Sequence, residues 1–155
     1  MPSSAKPLSG LKVIELGTLI AGPFASRICA EFGADVVKVE SPDGGDPLRK
    51  WRKLYEGTSL WWFVQARNKK SLTLNLKHPD GLAVLKKLLS EADILIENFR
   101  PGVLEKLGLG WYVLHALNPK LVMVRLSGFG QTGPMKDQPG FGAVGESMGG
   151  LRYIT

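Results

Sequence analysis

Cysteine occurs once in this 155-residue chain, at Cys29, and histidine twice, at His78 and His115. A lone thiol excludes an internal disulfide framework and any zinc site built on several cysteines. Two separated histidines do not supply such a ligand set, so no metal is expected. Long apolar runs are also missing. The uncharged stretch Leu16–Ser26 is interrupted by Gly17, Gly22 and Pro23, whereas a membrane-spanning helix needs about 20 apolar residues in a row. No membrane partner is expected. The polar start, Met-Pro-Ser-Ser-Ala-Lys, shows no secretory leader pattern, which makes a cytoplasmic location the expectation.

What is present suits a folded protein. Apolar residues make up 44% of the chain and charged residues 22%, a balance that rules out a disordered polymer. The length fits a single domain over residues 1–155. Twenty Lys and Arg stand against 14 Asp and Glu, a formal charge of +6. That sign favours anionic partners without choosing among phosphates, nucleic acid and acidic lipid.

Four short apolar runs, Val13–Leu16, Val36–Val39, Ile94–Ile96 and Leu121–Leu126, read as strands buried on both faces. Leu74-Asn75-Leu76-Lys77 closes another strand-like run. Helical patterns lie between them. Phe24, Ile28 and Phe32 recur at four-residue spacing before Gly33, and Pro79 to Ala92 carries an apolar face of Leu82, Leu85, Leu88, Leu89 and Ala92. Short helices are expected between Pro101 and Gly108 and over Trp111 to Leu117. The alternation predicts an α/β fold, a parallel sheet with flanking helices. Ser41 to Lys70 is a long irregular connection, of the kind that carries function or meets a partner.

Ligands of open α/β sheets bind beyond the carboxyl ends of the strands, so the residues after each strand matter most. Gly17 and Gly22 have the spacing of a phosphate loop, but Pro23-Phe24 replace the required Lys and Ser/Thr. That excludes a nucleoside-triphosphate loop and leaves either a tight strand-to-helix turn or a helix amino terminus facing an anion. Gly128-Phe129-Gly130-Gln131-Thr132-Gly133 has dinucleotide-fingerprint spacing, yet Pro134 and Pro139-Gly140 prevent a prompt helix. The match is therefore a decoy. Asn98-Phe99-Arg100 could bind an amide or ribose, stack on a base and pair with a phosphate; the alternative is a turn cap and a solvated cation. Lys77 could add a further cation.

Arg49, Lys50, Arg52, Lys53, Arg67, Lys69 and Lys70 alternate with Trp51, Tyr55, Trp61 and Trp62. Such interleaving occurs in single-strand nucleic-acid sites, but no nucleic-acid module accompanies it and no nucleic-acid partner is expected. Glu15, Glu40, Glu97, Asp137 and Glu146 form no recognisable catalytic pair. Nothing in these residues alone specifies a reaction.

Seven blocks, in order, resemble the class III CoA-transferases and the related 2-methylacyl-CoA racemases. They are Pro7–Val13, Ala21-Gly22-Pro23, Phe32–Glu40, Asn68–Ser71, Ala92–Gly102, Asn118–Leu121 and Ser127–Pro134. The resemblance implies a Rossmann-like parallel sheet from the large domain of an enzyme whose two subunits interlock as rings. It implies coenzyme A and acyl-CoA as substrates, a small carboxylic acid as acceptor, and no metal or redox cofactor. By the same resemblance Leu19 and Ile20 would line the CoA site. Leu74, Asn75, Leu76, Lys77, Asn98, Phe99 and Arg100 would contact its adenosine-phosphate end, with Lys106 as a phosphate partner.

Two departures narrow the choice. Ile20 stands where formyl-CoA members carry Gln, and Phe141 where the racemases place a proton-exchanging His. The family's nucleophile is an Asp on a Gly-Asp element, expected here beyond Thr155. The chain thus reads as the amino-terminal, CoA-binding part of a CoA-transferase. The other readings are a racemase, or a non-catalytic CoA-binding module.

Overall fold

Residues 6–155 are described by the structure, a computed structural model. The chain runs β1 (Lys12–Glu15), α1 (Ala21–Glu31), β2 (Asp35–Glu40), a 3-10 turn (Pro47–Lys50), a small hairpin of β3 (Leu54–Tyr55) and β4 (Thr58–Ser59), then α2 (Leu60–Gln65) and β5 (Lys69–Thr73). It continues through α3 (Pro79–Leu89), β6 (Ile94–Glu97), α4 (Val103–Lys106), α5 (Trp111–Leu117), β7 (Val122–Arg125), α6 (Gly142–Met148) and α7 (Leu151–Ile154). The main sheet has the order β5-β2-β1-β6-β7, and every neighbouring pair in it is parallel. This is the predicted α/β architecture.

Strand alternation sorts the core into two layers. Val13, Val36 and Ile96 pack with Ala30 on one face, while Ile14, Leu16, Val39 and Leu95 pack with Leu85, Leu89 and Leu114 on the other. The first layer lies under α1 and the second under α3 and α5. Burial on both faces explains why the strands read as nearly unbroken apolar runs. The connection from β5 to β6 passes to the far side of β1, so the strand order reverses between β1 and β6. Such a reversal opens a crevice at the carboxyl ends of the two central strands.

One sequence expectation is corrected in detail. Leu74–Lys77 is not strand: β5 stops at Thr73, where its partner β2 ends at Glu40. Leu74 still donates its amide to the Glu40 carbonyl at 2.9 Å, and the chain then turns on Asn75. Helix α1 forms where the spacing predicts it. Its Phe24, Ile28 and Phe32 stripe faces outward, 43%, 38% and 50% exposed, while Gly22, Ser26 and Ala30 face the sheet. An offset of two residues turns about 200° around a helix, which puts the two sets on opposite sides. Small residues at four-residue spacing let the helix axis lie close to the strands. Among the described residues no helix is long and apolar enough to cross a membrane.

This orientation of α1 has a measurable consequence. Phe32→Ser should change stability by less than about 0.5 kcal/mol in urea unfolding, as surface changes do. Ala30→Leu should cost about 1–3 kcal/mol by overpacking the sheet side. The reverse ranking would mean that the aromatic stripe, not the small-residue face, meets the sheet.

Candidate functional site

The crevice between β1 and β6 is floored by backbone. A Cβ on Gly17 would sit 2.8 Å from the Gly22 Cα, so the loop joining β1 to α1 can close only without side chains there. Asn98, just past β6, clamps that loop from the other side. Its Oδ1 accepts the Thr18 amide at 2.7 Å, and its Nδ2 donates to the Thr18 carbonyl at 2.9 Å. The Asn98 side chain therefore supports the loop. Leu19, next along, adopts a left-handed backbone, φ 61°. A residue other than glycine in that region carries strain of about 1–3 kcal/mol and persists only where its surroundings hold it. Its amide donates to Oδ1 of buried Asp46 at 3.0 Å.

Asp46 belongs to a buried ionic network that ties three strands together. Glu15, the last residue of β1, takes Lys38 Nζ on Oε1 at 2.7 Å and Lys69 Nζ on Oε2 at 2.8 Å. Ser26 of α1 donates to the same Oε2 at 2.6 Å. Lys38 also donates to the Gly17 carbonyl at 2.7 Å, and its Nζ lies 2.8 Å from Asp46 Oδ2, an ionic contact without hydrogen-bond alignment. Glu40 receives Arg49 on both oxygens at 2.8 Å, Ser71 Oγ at 2.6 Å and the Asp46 amide at 2.9 Å. Burial acts to raise the Glu40 carboxyl, but Arg49, Ser71 and the Asp46 amide all favour the anion and bring it down to about 2. Burial pushes the Lys69 ammonium down, partly offset by Glu15.

A second network lies on the opposite face of the sheet. Arg125 at the end of β7 gives Nε to Glu97 Oε1 at 2.7 Å and Nη1 to Glu105 Oε1 at 2.7 Å. Glu97 Oε2 in turn accepts the Phe99 amide at 2.7 Å. The Arg125 guanidinium holds the Glu105 carboxyl below its ordinary value. This chain of contacts fixes Phe99 and the start of α4 relative to β6.

Between the networks opens a cavity of about 420 Å³. Leu74, Asn75, Leu76, Lys77 and Phe99 line it together, with Leu16, Val103 and Leu107 among the apolar walls. Leu19, Ile20, Asn98, Arg100 and Lys106 are not in its lining. Leu19 and Ile20 follow Thr18, which is; Asn98 and Arg100 flank Phe99, with Arg100 exposed; and Lys106 is exposed on α4. Lys38, Val39 and Glu40 of β2 and Ser41, Asp43, Gly45, Asp46 and Pro47 of the connection after it also line the wall. In the sequence only the length of that connection marks these last five residues.

The remaining candidates take structural places. His78 caps α3, its Nδ1 accepting the Asp80 amide at 3.3 Å. His115 is exposed and stacks on Trp111, 5.0 Å between ring centres. Burial pushes the Cys29 thiol up, away from the reactive thiolate. In the basic and aromatic segment Arg49 lies 3.7 Å over the Trp62 ring, and Arg67 and Lys70 pair with Glu31 and Asp35. The glycine-rich run after β7 has no helix before Gly142, and Phe141 is exposed at the start of α6. Asp137 is exposed, and Glu146 pairs with Arg152 at 3.0 Å.

Residues 8–155 match the profile of CoA-transferase family III. The chain belongs to that family. A succinyl-CoA–D-citramalate CoA-transferase of Chloroflexus aurantiacus is 57% identical over 151 residues, covering 97% of this chain and 38% of the relative. A succinate–glutarate CoA-transferase of Agrobacterium fabrum is 42% identical, covering 100% of this chain and 40% of its own. The crystal structure of a CAIB/BAIF family protein from Brucella suis superposes with a TM-score of 0.89 at 39% identity, over 95% of this chain and 40% of that one. The chain thus spans about two fifths of the length of these family III relatives.

The Glu40–Arg49 pair makes stability depend on pH with a definite sign. The Glu40 carboxyl lies lower in the folded than in the unfolded chain, so its contribution is present above about pH 5 and disappears as pH falls toward 2. Arg49→Met should lower unfolding stability by about 1–3 kcal/mol at pH 7. The gap from the parent should then narrow between pH 5 and pH 2. A gap that stays constant across that range would show that Arg49 acts through packing on Trp62 alone.

Proposed function

We propose that the protein to which this chain belongs is a CoA-transferase that moves CoA from an acyl-CoA to a free carboxylic acid, and that residues 1–155 are a partial domain forming its CoA seat. The observation that carries the reading is the coincidence of the family match with the cavity at the strand-order reversal, where Leu74–Lys77 and Phe99 meet. Phe99 and Leu76 offer apolar surface to the adenine ring. Lys77, Arg100 and Lys106 lie outside both ionic networks and are available to the phosphates. Leu19 and Ile20 sit at the turn beside Thr18, where the pantetheine arm would run toward the reacting thioester.

The names of the relatives favour succinyl-CoA as donor and a small dicarboxylic acid as acceptor. The chemical step belongs to an aspartate on a Gly-Asp element beyond Thr155. Its carboxylate oxygen attacks the thioester carbonyl, the C–S bond breaks, and CoA leaves as the thiolate. The acceptor carboxylate then attacks the aspartyl carbonyl of the mixed anhydride and the donor acid leaves as its carboxylate; the thiolate attacks the acceptor acyl carbonyl, forming the new thioester and releasing the aspartate. Ile20 speaks against a formyl-CoA enzyme, and Phe141 cannot exchange a proton as a racemase base must.

The apolar stripe Phe24, Ile28 and Phe32, with exposed Leu60, Trp61 and Phe63 on α2, is the kind of surface a homodimer covers. Interlocked subunits of a cytoplasmic enzyme are consistent with it. No metal or redox cofactor enters the mechanism.

Isothermal titration of CoA into the full-length protein tests the seat. Arg100→Ala should weaken CoA about tenfold, or about 1.4 kcal/mol, and should weaken dephospho-CoA or pantetheine less. Equal losses for all three ligands would remove Arg100 from the phosphate site. With succinyl-CoA and labelled dicarboxylic acids, label should appear in the acyl-CoA pool; its absence for every acid would overturn the transferase reading.

A further inference from the structure

No motif marks the connection after β2, yet one of its residues is hydrogen-bonded to the turn at the mouth of the cavity. Asp46 is buried, and its carboxylate is shared among three elements. Oδ1 accepts the Leu19 amide at 3.0 Å and the Leu48 amide at 2.8 Å, while Oδ2 faces Lys38 Nζ at 2.8 Å. Its own amide is held by Glu40 Oε2 at 2.9 Å. The Leu48 and Lys38 contacts stabilise the fold locally. The Leu19 contact does something different, because Leu19 is the residue with the left-handed backbone.

A leucine left alone prefers the right-handed or extended regions. An acceptor fixed in the core, aimed at the Leu19 amide, favours the left-handed state. Neighbouring Thr18 is already pinned on both backbone groups by Asn98. With one residue clamped and the next held by Asp46, the course of the chain into Ile20 and α1 is set. The connection also supplies Ser41, Asp43 and Pro47 to the cavity wall, so Asp46 couples that wall to the turn.

We propose that Asp46 is a positioning residue for CoA: although it lies in the cavity lining, its carboxylate is turned to Leu19, Leu48 and Lys38, and it acts by holding the left-handed turn at Leu19, which keeps the Thr18–Ile20 edge of the cavity in its binding shape. This rests on the CoA-seat reading above. It adds a residue whose effect passes through the backbone of another, and it predicts rescue by a change at that other residue.

CoA binding is measured by titration calorimetry on the full-length protein, with thermal unfolding followed in parallel. Asp46→Ala should weaken CoA about tenfold. In an acyl transfer assay the loss should fall on KM for acyl-CoA, with kcat held within about threefold. Adding Leu19→Gly to Asp46→Ala should recover most of the lost affinity, because glycine enters the left-handed region without a steric penalty. The melting temperature should not recover, since the Lys38 and Leu48 contacts stay missing.

Leu19→Pro provides a second approach that leaves Asp46, Lys38 and Leu48 in place. It removes the amide and forbids positive φ, so it should also weaken CoA about tenfold, whether or not Asp46→Ala folds. Parent-like CoA affinity in Leu19→Pro, or a folded Asp46→Ala that Leu19→Gly does not rescue, overturns the positioning role while the CoA seat stands. Failure of the parent protein itself to bind CoA overturns the seat and this role together.

Discussion

Glu15 is a carboxylate with no exposed surface, placed at the end of the central strand of a parallel sheet. An ion in that position is tolerable only if its charge is matched and its lone pairs are occupied. Lys38 from β2, Lys69 from β5 and Ser26 from α1 meet that demand together. The requirement propagates outward. Lys38 needs Asp46 as well as Glu15, the backbone amide of Asp46 donates to Glu40, and Glu40 needs Arg49. Three carboxylates and three cations balance. Removing one of the two fully buried cations, Lys38 or Lys69, would leave a buried charge alone, at a cost of about 3–5 kcal/mol. Strands β1, β2 and β5, helix α1 and the connection after β2 are therefore positioned by one electrostatic constraint.

That constraint explains where the cavity lies. Apolar packing fills the middle of the sheet on both faces, and the charged residues gather where the strands end. Glu15 and Lys38 face α1, whereas Glu97 and Arg125 face the other layer. The two networks hold the strand ends from opposite sides and leave the crevice at the strand-order reversal between them. Its walls are mostly apolar, while Lys77, Arg100 and Lys106 are exposed to solvent. The proposed CoA seat uses that division, with apolar walls for the ring and cations at the rim for the phosphates.

The same arrangement shows why part of the fold is legible in the sequence and part is not. Strands buried on both faces leave a one-dimensional trace, so Val13–Leu16 and Ile94–Ile96 can be read directly, as can the Pro79 start of α3. Pairing between side chains leaves a fainter trace. Glu15 and Lys38 are 23 residues apart and become neighbours only through the β1–β2 register. A charge embedded in an otherwise apolar strand was the available signal, since such a charge demands a partner. The rotation of α1 was hidden for another reason. Its aromatic stripe has better helical periodicity than its small-residue face, and periodicity alone does not say which face meets the sheet. At the cavity, Leu74–Lys77 and Phe99 follow strand ends and were visible, but Ser41, Asp43 and Asp46 lie in an irregular connection whose path no pattern encodes.

The state of the carboxylates also separates binding from chemistry. A carboxylate acts as a nucleophile when an oxygen lone pair is free to approach a carbonyl carbon. Glu15, Glu40, Asp46 and Glu97 are all committed to cations, hydroxyls or amides. Their lone pairs serve the architecture, and moving one toward a thioester would break the network that shapes the cavity. Asp43 lines the same cavity but is exposed, and its side chain has no hydrogen-bond or ion-pair partner among the described residues to orient it. Those four carboxylates thus shape the cavity rather than attack a ligand in it. Under the CoA-transferase proposal, the attacking group comes from a different element, aimed at a thioester held at these strand ends.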